Sequence, residues 1–362
     1  MSAPQQDMRT GEVFDAFDID LVMKVAKHTI FSPFFMSLVP TFFVFQGHKP
    51  TSTVVLVPVV WAIASALFWA VQWLSLLYRN QGSLFFSPGR LDWGEQIVVV
   101  TGGSSGIGEL IANTLAVRSV SVVVLDVKPI QTENYNITYY PCDISKWEEV
   151  EAVQKKIVEE LGHPTVLINN AGVVQGKLIL DLTPEELQQT FGVNTIGHFH
   201  TLKAFLPEMI KQKSGHIVAM SSVLGMLGVA QTADYNASKA ALISLHESLR
   251  YELDTRYNVP GVRTTLVCPG HVLTPMFSSI DLGRNWLCKF MMPALPPITV
   301  AKAVIAALDS QFSQNIYLPF YVNFAPYLPM VPSFMRDFIQ WYTNANHAME
   351  TYSKDVKVRK EL

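Results

Sequence analysis

The stretch QIVVVTGGSSGIGELIANTLAVR, residues 96–118, leaves little freedom in how the chain around it folds. Val98, Val99 and Val100 make an unbroken β-branched run, the mark of a strand covered on both faces. A glycine cluster follows at once, and an amphipathic helical stretch follows the cluster. A strand that feeds a helix through a glycine turn is the first half of a strand–helix–strand unit. The rhythm recurs downstream. SVVVLD (121–126) is a second strand ending in an acid, and EEVEAVQKKIVEEL (148–161) places Val150, Val153, Ile157 and Leu161 on one helix face with its charges on the other. TVLINNAG (165–172), GHIVAMSS (215–222) and VRTTLVCPG (262–270) read as later strands. Between them a helix opens with a capping box: Thr183 as cap, Pro184 at the first position, Glu186 three residues on. The expected fold is α/β, a Rossmann-type doubly wound parallel sheet that binds ligands at the carboxyl ends of its strands.

A second feature lies upstream. From Val54 to Tyr78 the chain reads VVLVPVVWAIASALFWAVQWLSLLY without one charge. About 20 apolar residues suffice to cross a hydrocarbon core of about 30 Å. Trp69, Trp73 and Tyr78 fall toward one end, as interfacial aromatics would, and Arg79 follows. The run starts too late and is too long for a removable leader, so it reads as a membrane anchor. The shorter stretch Ile30 to Phe45 carries Pro33 and Pro40. Two readings stay open for it, the first half of a hairpin or a segment lying in the interface. Lys24, Lys27, Lys49, Arg79 and Arg90 favour a hairpin with both ends cytoplasmic.

The chain therefore divides into an N-terminal cytoplasmic segment (1–29), a hydrophobic anchor (30–79), a linker (80–94), the doubly wound domain (95–312) and an aromatic, proline-rich extension (313–362). Composition agrees with membrane contact: 49% of the residues are hydrophobic and only 16% charged, against the usual quarter. A net charge of −3 with no basic stripe excludes a nucleic-acid partner. Cys142, Cys268 and Cys288, without metal-type spacing, imply free thiols in a reducing compartment.

Within the glycine cluster, Gly102 permits a tight turn, Gly106 lets the backbone approach a pyrophosphate, and Gly108 lets helix and strand pack closely. Exposed amides at the helix start then hold the anion. Asp126 ends the next strand eighteen residues after Gly108, where an acid accepts from a ribose 2′-hydroxyl. A carboxylate there repels a 2′-phosphate, and Lys128 is the nearby hedge. The reading is NAD, with NADP the less favoured cofactor. Farther along, ADYNASKAALI (233–243) puts Tyr235 and Lys239 on one helix face.

Taken in order, these residues resemble the short-chain dehydrogenase/reductase family over roughly Gln96 to Met276. TGGSSGIG matches its glycine loop, CDIS places Asp143 and Ile144 at the adenine, and NNAG matches the motif lining the cofactor site. VNTIGHF supplies Asn194, MSSVLG supplies Ser222, YNASK supplies Tyr235 and Lys239, and PGHVLTPM matches the loop around the nicotinamide amide. The spacing of thirteen residues to Tyr235 selects Ser222 over Ser221. The resemblance implies a catalytic tetrad of Asn194, Ser222, Tyr235 and Lys239. It implies cofactor contacts from Gly102, Ser104, Ser105, Gly106, Ile107, Gly108, Asp126, Asp143, Ile144, Asn170, Ala171, Gly172, Tyr235, Lys239, Pro269, Val272 and Thr274.

On that reading Tyr235 is the general acid/base, Ser222 orients the substrate oxygen, and Asn194 holds a water behind Lys239. Lys239 also binds the nicotinamide ribose. A tyrosine near pKa 10 needs about three units of lowering to work at pH 7, and one ammonium about 4 Å away supplies roughly that much at an effective dielectric of 20.

The flanks of this machinery are apolar. VLGMLGVA (223–230) separates the serine from the tyrosine, and a variable lid over 275–297 carries Met276, Phe277, Trp286, Leu287, Phe290, Met291 and Met292. His271 reads as structural. Prolines 319, 326, 329 and 332 forbid a spanning helix in the tail. A helix after Ser333 with Phe334, Phe338 and Trp341 on one face would lie on a membrane, on the domain or on a dimer partner. An apolar N-terminus before such a core resembles the membrane-bound branch that handles retinoids, 17β-hydroxysteroids and other lipid alcohols. The implied activity is hydride transfer between NAD(H) and a hydrophobic alcohol or carbonyl, by a homo-oligomer on the endoplasmic reticulum or a lipid droplet, its catalytic domain facing the cytoplasm. Two alternatives remain: an NADPH-dependent ketoacyl or ketosphingoid reductase, and a non-catalytic lipid-surface binding protein on the same fold.

Overall fold

A computed structural model describes residues 17–81, 91–132, 134–277, 280, 285–350 and 352. Seven strands form one parallel sheet: β1 (Ile97–Thr101), β2 (Ser121–Asp126), β3 (Ile137–Pro141), β4 (Val166–Asn169), β5 (Gly215–Met220), β6 (Val262–Pro269) and β7 (Gln314–Leu318). Their order is β3-β2-β1-β4-β5-β6-β7. The order reverses between β1 and β4, and at such a switch point the connections diverge to opposite faces and leave a crevice.

The two-residue period of the strands distributes one valine run between two cores. Val98 and Val100 face α4 (Gly106–Val117) and α10 (Pro297–Ser310), where Ile111, Leu115, Val300 and Val304 are fully buried. Val99 faces the other way, onto α5 (Trp147–Glu160), α7 (Gly197–Gln212) and α8 (Ala233–Thr255), through Val150, Ile157, Phe205 and Leu253. Each fully buried side chain of that kind contributes about 1.5–3 kcal/mol. The capping box is formed at the start of α6 (Pro184–Phe191), with Glu186 N donating to Thr183 Oγ1 and Thr183 N to Glu186 Oε2.

Ahead of the sheet lie α1 (Ile19–His28), α2 (Pro33–Phe45) and α3 (Thr53–Arg79). α3 is the one helix among the described residues long and apolar enough to cross a membrane, and its apolar side chains are mostly exposed. α2 packs along it as a hairpin. Trp61 Nε1 donates to the Ile30 carbonyl at 2.6 Å, and Trp69 Nε1 to the Phe31 carbonyl at 2.8 Å. Trp69 therefore closes the hairpin as well as standing toward one end of the apolar run.

The segment set apart after residue 312 is not an appendage. Its first residues are β7, paired with β6 from Thr265–Gln314 to Pro269–Leu318. QNIYL lacks a β-branched run, so nothing local announces a strand. A 3₁₀ stretch (Phe320–Met330), α11 (Ser333–Thr343) and the short α9 (Trp286–Met291) complete the domain. Residues 1–16 of the expected N-terminal segment, 82–90 of the linker with Arg90, lid residues 278–279 and 281–284, and the tail at 351 and 353–362 lie outside the described residues.

Candidate active site

The glycine loop follows β1 at the switch point. Gly102 has φ +65°, and a Cβ there would stand 2.7 Å from Ala171 Cα. Gly106 has φ +61° and opens α4 toward Thr274. The α4 start thus presents free amides to a cavity of about 590 Å³ that runs along the carboxyl ends of the strands. One end is walled by Asp126, Lys128, Asp143 and Ile144, the middle by Asn170, Ala171 and Gly172, and the far end by Ser222, Tyr235 and Lys239. Gly102, Ser105, Gly106, Ile107, Pro269, Val272 and Thr274 also line it.

Asp126 is held as a receiver. Its Oδ2 accepts from Ser104 N and its Oδ1 from Lys128 N, both at 3.0 Å. Each carboxylate oxygen keeps a lone pair for a ribose hydroxyl. Ser104 itself turns its hydroxyl to the Lys128 carbonyl at 2.6 Å and is buried, so it shapes the loop and does not line the cavity. Asp143 Oδ1 accepts from the Ser145 amide and hydroxyl.

The NNAG strand end is fixed from both sides. Asn170 Nδ2 donates to the Thr101 and Gly102 carbonyls, and Asn169 Oδ1 accepts from Thr201 Oγ1. Thr101 is a support that the motifs do not announce: its Oγ1 accepts from both Asn170 N and Ala171 N.

Asn194 sits in a π-helical turn (Gly192–Ile196) between α6 and α7. Its Oδ1 accepts from Val173 N at 2.7 Å, while its Nδ2 donates to Val173 O and Ser238 Oγ. Its side chain is therefore spent on tying the β4 loop to α8. Ser238, also unannounced, passes its own proton to the Tyr235 carbonyl at 2.7 Å.

The two neighbouring serines part company here. Ser221 Oγ donates to the Lys239 carbonyl at 2.9 Å, whereas the Ser222 hydroxyl hydrogen-bonds the Tyr235 phenol. Tyr235 and Lys239 are both buried, on the first turns of α8. Lys239 Nζ donates to the Met220 carbonyl at 2.8 Å and lies 5.7 Å from the Tyr235 ring centre. Burial pushes the phenol up to about 12, with the Ser222 bond pulling the other way, and brings the ammonium down to about 8. The lowering of Tyr235 by Lys239 that the helical spacing suggested is absent from the protein alone. Desolvation of a buried phenolate outweighs a cation turned toward a carbonyl.

The Tyr235 end of the cavity is apolar, and part of it comes from the residues after α11. Phe277 meets the Tyr235 ring edge-on at 6.0 Å, and Met276 and Val174 pack beside it. Met349 and Tyr352 close the same cluster, with Tyr352 Oη donating to Val174 O at 3.2 Å. No local pattern in the tail signals that role. His271 is structural: its Nε2 pairs with the Phe277 carbonyl at 3.1 Å.

A parallel sheet with a glycine loop at its switch point and a buried serine–tyrosine–lysine set at the other end of one cleft defines a dinucleotide-dependent oxidoreductase. The family model for short chain dehydrogenase matches residues 96–285, and the chain belongs to the short-chain dehydrogenase/reductase family. It is 32% identical over 269 residues to an uncharacterized oxidoreductase of Saccharomyces cerevisiae, covering 72% of this chain and 86% of that one. It is 34% identical over 270 residues to epidermal retinol dehydrogenase 2 of Mus musculus, covering 71% and 85%. Among solved structures, ligand-free aldohexose dehydrogenase of Thermoplasma acidophilum is 28% identical with TM-score 0.55, covering 64% of this chain and 94% of that one. As a family member the chain is an oxidoreductase with a nicotinamide cofactor.

Proposed function

We propose that the chain is a membrane-bound dehydrogenase that moves a hydride between NAD(H) and a hydrophobic alcohol or carbonyl of lipid, retinoid or steroid type. The observation that carries this reading is the chemical asymmetry of one cleft: a carboxylate at one end, a buried phenol under an apolar roof at the other. Membrane residence rests on α3, and the substrate class is supported by the relatives named as retinol dehydrogenases.

The residues fit the cofactor. The α4 amides and the glycine approach would take the pyrophosphate, Asp126 the adenosine ribose, Lys239 the nicotinamide ribose, and Val272 and Thr274 the carboxamide. When bound, the nicotinamide supplies the hydride donor or acceptor. Tyr235 moves the hydroxyl proton, and as a phenol near 12 it rests protonated, ready to donate in reduction. Ser222 hydrogen-bonds both that phenol and the substrate oxygen. Burial brings the Lys239 ammonium down to about 8, so that it can exchange a proton near working pH while holding the ribose. Asn194 keeps the β4 loop and α8 in register.

The test is NADH formation by detergent-purified full-length protein, with a panel of retinoid, steroid and long-chain alcohols. Tyr235→Phe should retain NADH binding and lose about 10²–10⁴ in kcat, the usual worth of a general acid/base. Equal turnover by the variant would sink the catalytic reading and leave a lipid-binding protein on an enzyme's fold. Lys128, in the same wall as Asp126, is the feature that would favour a 2′-phosphate. A kcat/KM ratio favouring NADPH over NADH would replace NAD in this proposal.

A further inference from the structure

We infer that the rim of the catalytic domain around the cavity mouth is itself a lipid-docking surface, so that substrate reaches Tyr235 from within the bilayer. The inference rests on the reading of α3 as a membrane helix and adds an orientation to it.

The direction of α3 comes from its attachments. At its carboxyl end Asn80 bonds Ser313, at the start of β7. Trp69 reaches Phe31, just past α1, and α1 is itself tied beyond the end of β7, where Asp20 Oδ1 accepts from Phe320 N at 2.6 Å. α3 is thus held at its carboxyl end against the start of β7, while the segment ahead of it is held beyond the end of β7. From Trp69 back to Thr53, α3 extends roughly 24 Å further from its attachment at Ser313. Phe320, which holds α1, follows β7 at the carboxyl ends of the strands, the side on which the cavity opens.

Around the mouth, four elements join into one apolar rim. Phe17, before α1, meets Phe290 of α9 at 5.5 Å, and Asn285 before α9 bonds Tyr342 of α11 at 3.2 Å. α11 is seated on the loop between Ser222 and Tyr235, with Gln340 Nε2 donating to the Gly228 carbonyl at 3.0 Å. Outward, the rim presents Trp286 (69% exposed), Phe334 (72%) and Trp341 (64%), with Phe338 beside them. Phe334, Phe338 and Trp341 follow at helical spacing, the arrangement of a helix lying in a bilayer interface with tryptophan at its boundary. The Phe17–Phe290 contact joins this rim to the segment that leads through α1 into the exposed apolar sides of the α2–α3 hairpin, and this continuity points to lipid as the occupant.

The full-length protein, reconstituted in phosphatidylcholine vesicles, gives the test. A nitroxide placed by Trp341→Cys is compared with one in α3 (Val60→Cys) and one on the outer face of α5 (Lys155→Cys); the three native cysteines are buried. The Trp341 and Val60 labels should be open to oxygen and shielded from a water-soluble nickel chelate, and the Lys155 label the reverse. A Trp341 label that behaves like Lys155 while Val60 stays in lipid overturns the docking surface and spares the anchor. A nickel-accessible Val60 label overturns the anchor as well. A Trp341 label shielded from both reagents means that a second protein chain covers the rim, and also overturns the inference. A Phe334→Asp, Phe338→Asp, Trp341→Asp protein adds a kinetic arm. Its kcat/KM should fall roughly tenfold for a vesicle-borne long-chain alcohol and hold for a short water-soluble one. Equal loss for both alcohols, or none, counts against the inference.

Discussion

Lys239 stands one helical turn from Tyr235, yet its ammonium donates to the Met220 carbonyl and not to the phenol. Sequence spacing brings the two onto one face; packing decides where the cation points. The same dominance of burial governs three histidines. His198, His216 and His246 are all pushed down to about 3 by desolvation, with nearby cations adding to the shift. His198 donates to the Ala171 backbone, and His216 Nε2 meets Thr265 Oγ1 at 2.8 Å. His246 Nδ1 is buried with no hydrogen-bond partner. Each ring is neutral in the folded chain and titrates near 6.5 once unfolded. The folded state then binds fewer protons, so stability is complete above 6.5 and is lost as pH falls from 6.5 toward 3. The slope is about 1.4 kcal/mol per pH unit for each histidine. Denaturant titrations of the full-length protein in detergent at pH 7, 6, 5 and 4 should show that decline. His246→Leu should flatten it by one histidine's share; an unchanged slope would show that His246 is solvated in solution.

At the scale of elements, the tail after α11 is a wall of the active site. Tyr352 lies on Gly176, where φ is +68° and a Cβ would stand 2.3 Å from the ring. Tyr352→Ala opens that wall. Loss of one aromatic contact should raise KM for a long-chain alcohol roughly tenfold, the usual worth of a small change in an apolar pocket, with NADH affinity preserved. A KM unchanged across alcohol lengths would remove Tyr352 from the substrate site. No sequence pattern foretells this contact: 117 residues separate Tyr352 from Tyr235, and the tail reads only as aromatic and proline-rich. What was legible was local. Valine runs mark β1 and β2 because a doubly covered strand must be apolar throughout, and the glycine loop shows because close backbone approach excludes a Cβ. β7 was hidden because QNIYL, at the sheet edge, has only half-buried residues and needs no such run. The candidate site residues were legible as types at fixed spacing, while their hydrogen-bond partners, Thr101 and Ser238 among them, depend on segments that meet only after folding.

At the scale of the whole molecule, one side chain joins the apolar hairpin to the sheet. Asn80, fully buried just past α3, accepts from Ser313 N at 2.5 Å and from Arg263 Nη1 at 3.4 Å. It donates to Ser313 O at 3.1 Å and Leu76 O at 2.9 Å. Both backbone groups of Ser313 thus depend on an amide from the other end of the chain, and Asn80→Ala leaves them buried without it. An unsatisfied buried group costs about 1–3 kcal/mol, so the pair costs roughly 2–5 kcal/mol, or about 5–15 °C in Tm for a domain of this size. Asn80→Asp separates the two halves of the clamp. It keeps an acceptor for the Ser313 amide and Arg263 but sets a carboxylate against the Ser313 carbonyl. Its Tm should fall too, and its deficit against the wild type at the same pH should narrow as pH drops and the carboxyl gains a proton to donate. Thermal unfolding of both variants in detergent, followed at pH 7 and pH 5, reads this directly. Equal Tm values for Asn80→Ala and the wild type would mean that the hairpin hangs from the domain as a tether. A fall of the stated size means that the hairpin is part of the folding unit, and that the fold itself sets the angle between the apolar hairpin and the active-site cleft.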